Sequence, residues 1–234
     1  MTSAFMSLVA AAIVWVAVHI GVAGTRLRER IVARIGERAF RGLFVLASFA
    51  ILGWLGWSFG AAGPVRVLWH APPWLSVLMM LLLLPAMVLF VGSLSTPNPT
   101  ALTGVRALDV ANPAMGVLRI TRHPMLWAFA LWGLVHLVVL GTLSGAVLTG
   151  AIIMTALVGM PSLDAKVARR KPDRWLVFAS ATSRLPFVAI AQGRNRLVWS
   201  EIGWWRTLLA VVLWVVLIAL HPWAFGVDPA RYFH

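Results

Sequence analysis

Residues 119–140 read RITRHPMLWAFALWGLVHLVVL, a basic turn followed by an apolar run that one histidine interrupts. The turn contains Arg119, Arg122, His123 and Pro124, and the histidine inside the run is His136. An apolar run of this length predicts a membrane-spanning helix, from which ionisable side chains are normally excluded. An intramembrane histidine is therefore a candidate functional residue that needs a polar partner or a ligand.

The composition of the whole chain supports a membrane protein. Of its 234 residues, 61% are hydrophobic and only 12% are charged, which is too apolar for an ordinary soluble domain. Six apolar runs approach the length of about 20 residues that a helix needs to cross a bilayer. They are residues 4–23, 41–61, 74–94, 124–141, 144–161 and 207–221. We predict one all-α domain over residues 1–234, a polytopic membrane helix bundle of about six transmembrane helices.

The positive charges alternate between the connections of these runs. Eighteen of the twenty Lys and Arg residues lie in residues 24–41, 95–123 and 162–206. Cytoplasmic loops are enriched in positive residues, so these three connections are predicted to be cytoplasmic and both termini to lie outside. Because the charge of +13 is divided among short loops rather than gathered on one soluble face, we exclude nucleic acid as a partner.

Residues 162–206 form the longest polar connection. Its stretch KVARRKPDRWLVFASATSRLPF predicts a basic amphipathic helix on the cytoplasmic leaflet, anchored by Trp175 and Phe178. The alternative interpretation is a lid over a pocket that faces the cytoplasm. All seven acidic residues lie outside the predicted spans. Residues 141–144 (GTLS) predict a tight hairpin between the fourth and fifth spans.

The absence of cysteine limits the cofactors that the chain could bind. Thiolate metal sites, iron–sulfur ligation and haem attachment through CxxCH are all excluded. Any metal ligand within the membrane must therefore come mainly from the histidines. These are His19, His70, His123, His136, His221 and His234.

Two of these histidines share a local pattern. His19 and His136 lie inside apolar runs, and each follows a tryptophan by four residues, Trp15 and Trp132, on the same helical face. Two imidazoles that face each other across a bundle could hold a haem iron axially. Alternatively, each imidazole donates a hydrogen bond to a nearby carbonyl while the aromatic rings pack.

Depth in the membrane distinguishes the possible histidine pairs. At 1.5 Å per residue, His136 lies roughly 20 Å from Arg122 and His221 roughly 22 Å from Arg206, whereas His19 lies roughly 10 Å from Arg26. Depth alone favours pairing His136 with His221. Helix tilt leaves a pairing of His19 with His136 open.

The basic turn before the fourth span is a candidate anion site. Arg122 provides a charged fork, and the start of the following helix provides free N–H groups that could bind an anion next to His123. Haem propionates are the preferred anion, and a lipid phosphate is the alternative. The alternative is an ordinary helix start, with Pro124 in the first turn and Arg122 extending toward the lipid headgroups.

Several pieces of the sequence resemble the NnrU family of bacterial membrane proteins and its relative, the zeta-carotene isomerase family of plants and cyanobacteria. They are IGERAFRGLF (35–44), GVLRITRHPM (116–125), LWGLVH (131–136), SRLPFVAIAQGR (183–194) and HPWAFGVDPARYFH (221–234). The agreement runs in the same order through nearly the whole chain.

This resemblance implies a b-type haem whose iron is held by two histidines, which correspond to His19 in AVHIGVAGTR and His136 in LVH. The NnrU branch implies a multi-pass protein of the bacterial inner membrane with a role in denitrification, in which nitric oxide could be a ligand. The isomerase branch implies haem-dependent conversion of a 15-cis double bond of a carotenoid, or of a similar hydrophobic polyene, to trans.

The chain departs from the isomerases beside the first histidine. It has Val18 where they have Ala and Ile20 where Ser is usual, so the resemblance implies the haem more strongly than it implies the carotenoid. RHP and the later RLPF also resemble S-adenosylmethionine-dependent membrane methyltransferases of the isoprenylcysteine type. Met125 and Leu126 follow RHP without the tyrosine of that motif, so methyl transfer is the less favoured alternative.

Overall fold

The structure is a computed structural model that describes residues 2–101, 104–110 and 112–229. Within these residues the chain is helical, and one isolated antiparallel bridge joins Val67 to Thr142. The α-helices are α1 (Ser3–Val16), α2 (Arg26–Ile35), α3 (Glu37–Ala62), α4 (Pro73–Ser95), α5 (Pro124–Leu140), α6 (Leu143–Arg170), α7 (Pro172–Ala181), α8 (Val188–Ala191), α9 (Trp199–Ile202) and α10 (Trp204–Phe225). A π-helical segment, Ala17–Val22, continues α1.

Five helices of the described residues are long and apolar enough to cross a membrane. They are α1 with its π-helical continuation, α3, α4, α6 and α10. The 17-residue α5 is also apolar and lies at the lower end of the length of about 17–25 residues that a transmembrane helix needs. The prediction of an all-α, polytopic helix bundle is confirmed.

The order of the long helices follows from their packing. Helix α5 packs between α4 and α6, α1 packs between α6 and α3, and α10 lies against α4. The resulting order across the bundle is α3, α1, α6, α5, α4, α10. A buried cluster that includes Phe5, Leu8, Leu55 and Ile152 joins α1, α3 and α6.

The connection of residues 24–41 contains a helix that the hydropathy pattern did not indicate. Thr25 caps α2, since its hydroxyl oxygen accepts a 3.2 Å hydrogen bond from the Leu27 N–H. Gly36, with φ +80°, then separates α2 from α3. Because α3 starts at Glu37, it includes Arg38, which precedes the predicted span of residues 41–61.

The predicted hairpin between α5 and α6 is confirmed. Gly141 ends α5 in the left-handed conformation, and a Cβ atom at this position would lie 2.1 Å from the Trp69 carbonyl oxygen. The Thr142 hydroxyl oxygen then caps α6 by accepting a 3.0 Å hydrogen bond from the Gly145 N–H. Helices α5 and α6 are consequently antiparallel neighbours.

The end of the bundle where α5 begins and α6 ends is here named the basic end. Helix α6 continues nine residues beyond the predicted span, to Arg170, and α7 is a separate helix. Trp175 and Phe178 are buried against Leu118 and Val167 rather than exposed to lipid. The predicted anchoring role of these two aromatic residues is therefore wrong, because the loop that precedes α5 supplies an apolar surface that covers them. Whether the basic end is cytoplasmic stays a prediction.

Candidate functional site

His19 lies in the π-helical segment, and π-helical turns frequently occur at functional sites. Its ring stacks on Trp15 with 3.9 Å between the ring centroids. Its Nδ1 atom lies 2.8 Å from the Trp15 carbonyl oxygen, which can only accept a hydrogen bond. The ring proton is therefore on Nδ1, and the lone pair is on Nε2, which lies 3.3 Å from the Ser48 hydroxyl oxygen.

His136 repeats this geometry on α5. Its ring stacks on Trp132 with a centroid distance of 4.4 Å, and Nδ1 lies 2.8 Å from the Trp132 carbonyl oxygen. Nδ1 thus carries the proton here too. No hydrogen bond to its Nε2 forms within the part of the chain that the structure describes. Metal-binding histidines commonly donate one ring N–H to a carbonyl in this way, which orients the ring and leaves the other nitrogen free to coordinate.

The two imidazoles lie at different depths along α6. At the basic end, the Gly24 carbonyl accepts a 2.7 Å hydrogen bond from Ser162, and His19 precedes Gly24 by five residues. Gly133 packs against Ile153 and the Thr149 backbone, and His136 follows it by three residues. The Cα levels of the two histidines therefore differ by on the order of 14 Å.

The stacked tryptophans lie between these two levels. Trp15 and Trp132 both pack against the buried cluster of α1, α3 and α6. No hydrogen bond or ring contact among the described residues joins His19 to His136. Each of the two histidines thus keeps one ring nitrogen that could coordinate a metal.

His221 lies in α10, which packs against α4. Its Nδ1 lies 2.9 Å from the Val227 carbonyl oxygen, and its ring packs against Phe225. The pairing of His136 with His19 or with His221 stays a prediction. His234 lies outside the described residues.

Arg122 and His123 have a partner that the sequence analysis did not identify. His123 Nε2 lies 2.8 Å from Asp164 Oδ1, and Arg122 Nε lies 3.2 Å from Asp164 Oδ2. Arg184 donates a third hydrogen bond to the same carboxylate. Burial lowers the pKa of His123 below its ordinary value, while the hydrogen bond with Asp164 opposes this shift. The His123 ring is therefore neutral at pH 7 and donates its Nε2–H to Asp164.

A signal for Asp164 was present in the sequence. Asp164 lies four residues after Met160 and three before Val167, and all three are buried on one face of α6. The hydropathy run ends near residue 161, but the inward face of the helix continues to Val167. Following the inward face of α6 beyond residue 161 would have indicated that the Asp164 carboxylate lies close to the RHP turn.

Comparisons with known proteins support the resemblance. A profile described as "NnrU protein" matches residues 7–229. The chain belongs to the NnrU family. The matched region of this NnrU protein includes both histidine–tryptophan pairs and the Arg122–His123–Asp164 cluster.

Two curated relatives carry the name 15-cis-zeta-carotene isomerase, chloroplastic. The protein from Zea mays is 29% identical over 202 residues, which cover 79% of this chain and 50% of that protein. The protein from Arabidopsis thaliana is 30% identical over 203 residues, which cover 78% of this chain and 50% of that protein. The chain thus spans about half the length of these relatives. No solved structure matches it.

Proposed function

We propose that this NnrU protein binds haem b through its intramembrane histidines and acts on a hydrophobic polyene as a cis–trans isomerase. The observation that carries the proposal is the common geometry of His19 and His136. Both rings are held by Nδ1–H to a carbonyl four residues earlier, which directs an Nε2 lone pair away from the helix. The names of the two curated relatives support isomerisation as the reaction.

Buried polar atoms near the histidines support a ligand between the helices. The indole Nε1 of Trp15 and the hydroxyl of Thr155 are buried and have no hydrogen-bond partner among the described residues. An unsatisfied buried donor costs about 1–3 kcal/mol, so such atoms point to a missing partner. A haem would supply an iron that binds imidazole nitrogen, together with polar propionate groups.

The difference in depth between His19 and His136 bears on which histidines would hold the haem iron. One iron could be held by His19 and His136 together, or by His136 alone. His221 is the alternative second ligand for His136. Arg122 lies roughly 20 Å along α5 from His136 and is bonded to Asp164, so a propionate contact from a haem on His136 is not part of the proposal.

Visible spectra of the detergent-purified protein, oxidised and dithionite-reduced, test the haem. We expect a haem b spectrum in the wild type that is lost in His136→Ala. If the haem spectrum is lost in His19→Ala but kept in His221→Ala, the ligands are His19 and His136, the pair that the resemblance implies. If it is lost in His221→Ala but kept in His19→Ala, the ligands are His136 and His221. Five-coordinate high-spin iron that persists in both variants assigns His136 alone. Absence of haem from the wild type after reconstitution would refute the cofactor.

Isomerase activity is tested separately. Co-expression with enzymes that produce 15-cis-zeta-carotene should increase the amount of the isomer that is trans at the 15-cis bond. His136→Ala should abolish this increase. If the protein binds haem but leaves the isomer profile unchanged, the proposed cofactor stands and the proposed isomerase reaction is rejected.

The family membership supports a second function. The NnrU profile covers residues 7–229, whereas the isomerases are matched over only half their length. A denitrification role in the bacterial inner membrane, with nitric oxide as a ligand of the haem, is the corresponding proposal. Deleting the gene should slow nitrite and nitric oxide reduction, and the His136→Ala gene should not restore them. A normal denitrification rate in the deletion strain would reject this function.

A further inference from the structure

A cleft at the basic end of the bundle has the character of an anion site. Its volume is about 620 Å³, and its wall includes Arg122, Arg184 and Arg194. The rest of the wall is the chain between α7 and α8, with Leu185 and Val188 as apolar lining residues. Three guanidinium groups thus line one opening between the RHP turn and the loop that follows α7.

The positive charge around this cleft exceeds the negative charge. Asp164 accepts hydrogen bonds from Arg122 and Arg184, and it also accepts one from the neutral His123. Among the residues that the structure describes, Arg194 has only uncharged acceptors, which are the side-chain oxygen of Gln192 and the backbone carbonyls of Ser180 and Thr182. Three arginines therefore line the cleft, and the Asp164 carboxylate pairs with two of them.

Most of the other acidic residues pair with basic residues outside the cleft wall. Four of them form ion pairs elsewhere, in Arg119–Glu201, Lys171–Asp109, Arg169–Glu29 and Arg28–Glu37. The charges of Arg184 and Arg194 also contribute, after burial, to lowering the pKa of Arg122. Mutual repulsion of this kind would be relieved by an anion in the cleft.

The surroundings of the cleft indicate a phosphate near the membrane surface. Arg122 precedes the first residue of α5 by two positions, which places the cleft at the end of an apolar helix. Leu185 is 57% exposed and Phe187 is 52% exposed beside it. Phe187 has a φ of +64°, a strained conformation for a residue with a side chain, and such strain is concentrated at functional sites. Guanidinium forks match the geometry of phosphate oxygens.

We propose that Arg122, Arg184 and Arg194 form a binding site for a phosphate group in this cleft. The phosphate belongs either to the headgroup of an anionic lipid or to a soluble phosphate. The site is independent of the intramembrane histidines and of the proposed function.

The experiment compares Arg194→Gln with Arg196→Gln. Arg196 is exposed, lies two residues away and is not part of the cleft wall, so both variants lose one positive charge from the same loop. The full chain is purified in maltoside detergent, and its unfolding temperature is measured against phosphatidylglycerol and, separately, against inorganic phosphate. Sodium chloride at equal ionic strength is the reference for both.

We expect the wild type and Arg196→Gln to be stabilised alike, and Arg194→Gln to require roughly tenfold more ligand, since it loses a charge-assisted contact with the phosphate. Protection by phosphatidylglycerol alone identifies a lipid phosphate, and equal protection by inorganic phosphate identifies a soluble one. If neither ligand stabilises the wild type beyond sodium chloride, or if the two variants respond alike, the site does not exist. Should Arg194→Gln fail to fold, Arg194→Lys retains the charge without the fork and should give an intermediate affinity.

Discussion

His123 donates a 2.8 Å hydrogen bond from Nε2 to Asp164 Oδ1, and both side chains are almost fully buried. The same carboxylate accepts hydrogen bonds from Arg122, on the same turn, and from Arg184, on the loop after α7. One residue of α6 thus connects the start of α5 to the segment that follows α7. Asp164 is therefore the central acceptor of the basic end.

Replacing Asp164 with alanine should destabilise the protein strongly. The substitution leaves Arg122 and Arg184 without a carboxylate and His123 without an acceptor, and breaking a buried ion pair costs about 3–5 kcal/mol. The unfolding temperature in detergent measures this effect. Asp173→Ala is the control, because Asp173 is an exposed carboxylate in the first turn of α7, and its removal should cost less than about 1 kcal/mol. Equal losses in the two variants would contradict the central role of Asp164.

The stability of the basic end should decrease below neutral pH because of His123. Burial lowers the pKa of His123 below its ordinary value of 6.5, and the hydrogen bond with Asp164 offsets only part of this shift. Unfolded chains therefore bind a proton near pH 6.5 that the folded protein takes up only at lower pH. The contribution to stability is present above the unfolded pKa and is lost as pH falls below it.

Unfolding temperatures between pH 8 and pH 5 for the wild type and His123→Gln test this prediction. The curve of the wild type should fall more steeply below pH 6.5, while the remaining histidines contribute equally to both curves. Parallel curves would show that His123 has the same pKa in the folded and unfolded states.

Hydropathy and helix-end signals predicted the bundle, but they identified only part of the candidate site. The apolar run, Pro124 at its start and Gly141 at its end were sufficient to place α5 almost to the residue. They could not show how far the inward face of α6 continues into polar sequence, so Asp164 was assigned to a soluble segment. A hydropathy average combines both faces of a helix, whereas burial depends on one face.

The hydrogen bonds of the histidines were only partly predictable. A carbonyl partner was one of the two interpretations of His19 and His136, and the structure assigns that partner to each histidine's own helix. Their relative depth depends on how α1 and α5 pack against α6, and a single sequence contains no direct signal for that register.

Gly133 allows the close packing of α5 against α6 one turn before His136. A Cβ atom at this position would lie 2.6 Å from Ile153 Cγ1 and 3.3 Å from the Thr149 carbonyl oxygen. We expect Gly133→Ala to cost about 1–3 kcal/mol through overpacking, offset in part by the higher helix propensity of alanine. It should also reduce haem loading if His136 is a ligand, because the helix that carries His136 is displaced.

Gly150→Ala is the matched control for Gly133→Ala. A Cβ atom at Gly150 would meet nothing within 4 Å, so only the gain in helix propensity remains, and stability should rise by up to about 1 kcal/mol. Thermal unfolding of both variants, with the haem-to-protein ratio, provides the comparison. A stabilised Gly133→Ala would mean that α5 and α6 are not in close contact at this position.

Arg119 and Glu201 join the turn before α5 to the segment before α10. Two hydrogen bonds of 2.6 and 2.7 Å link the guanidinium to the carboxylate, which also accepts a 2.9 Å bond from the Gly116 N–H. The side chains are only 12% and 19% exposed. A double-mutant cycle of Arg119→Gln and Glu201→Gln should therefore give a coupling energy of about 1–3 kcal/mol.

The exposed pair Arg169–Glu29 is the control for this cycle. Its atoms lie 3.1 Å apart, and its side chains are 59% and 54% exposed, so solvent screening should limit its coupling energy to about 0–1 kcal/mol. Both cycles are measured by denaturant unfolding in the same detergent, and added salt should weaken the exposed pair more than the buried one. Equal coupling energies and equal salt dependence would mean that Arg119 and Glu201 are solvated, and that the contact between the two segments depends on apolar packing alone.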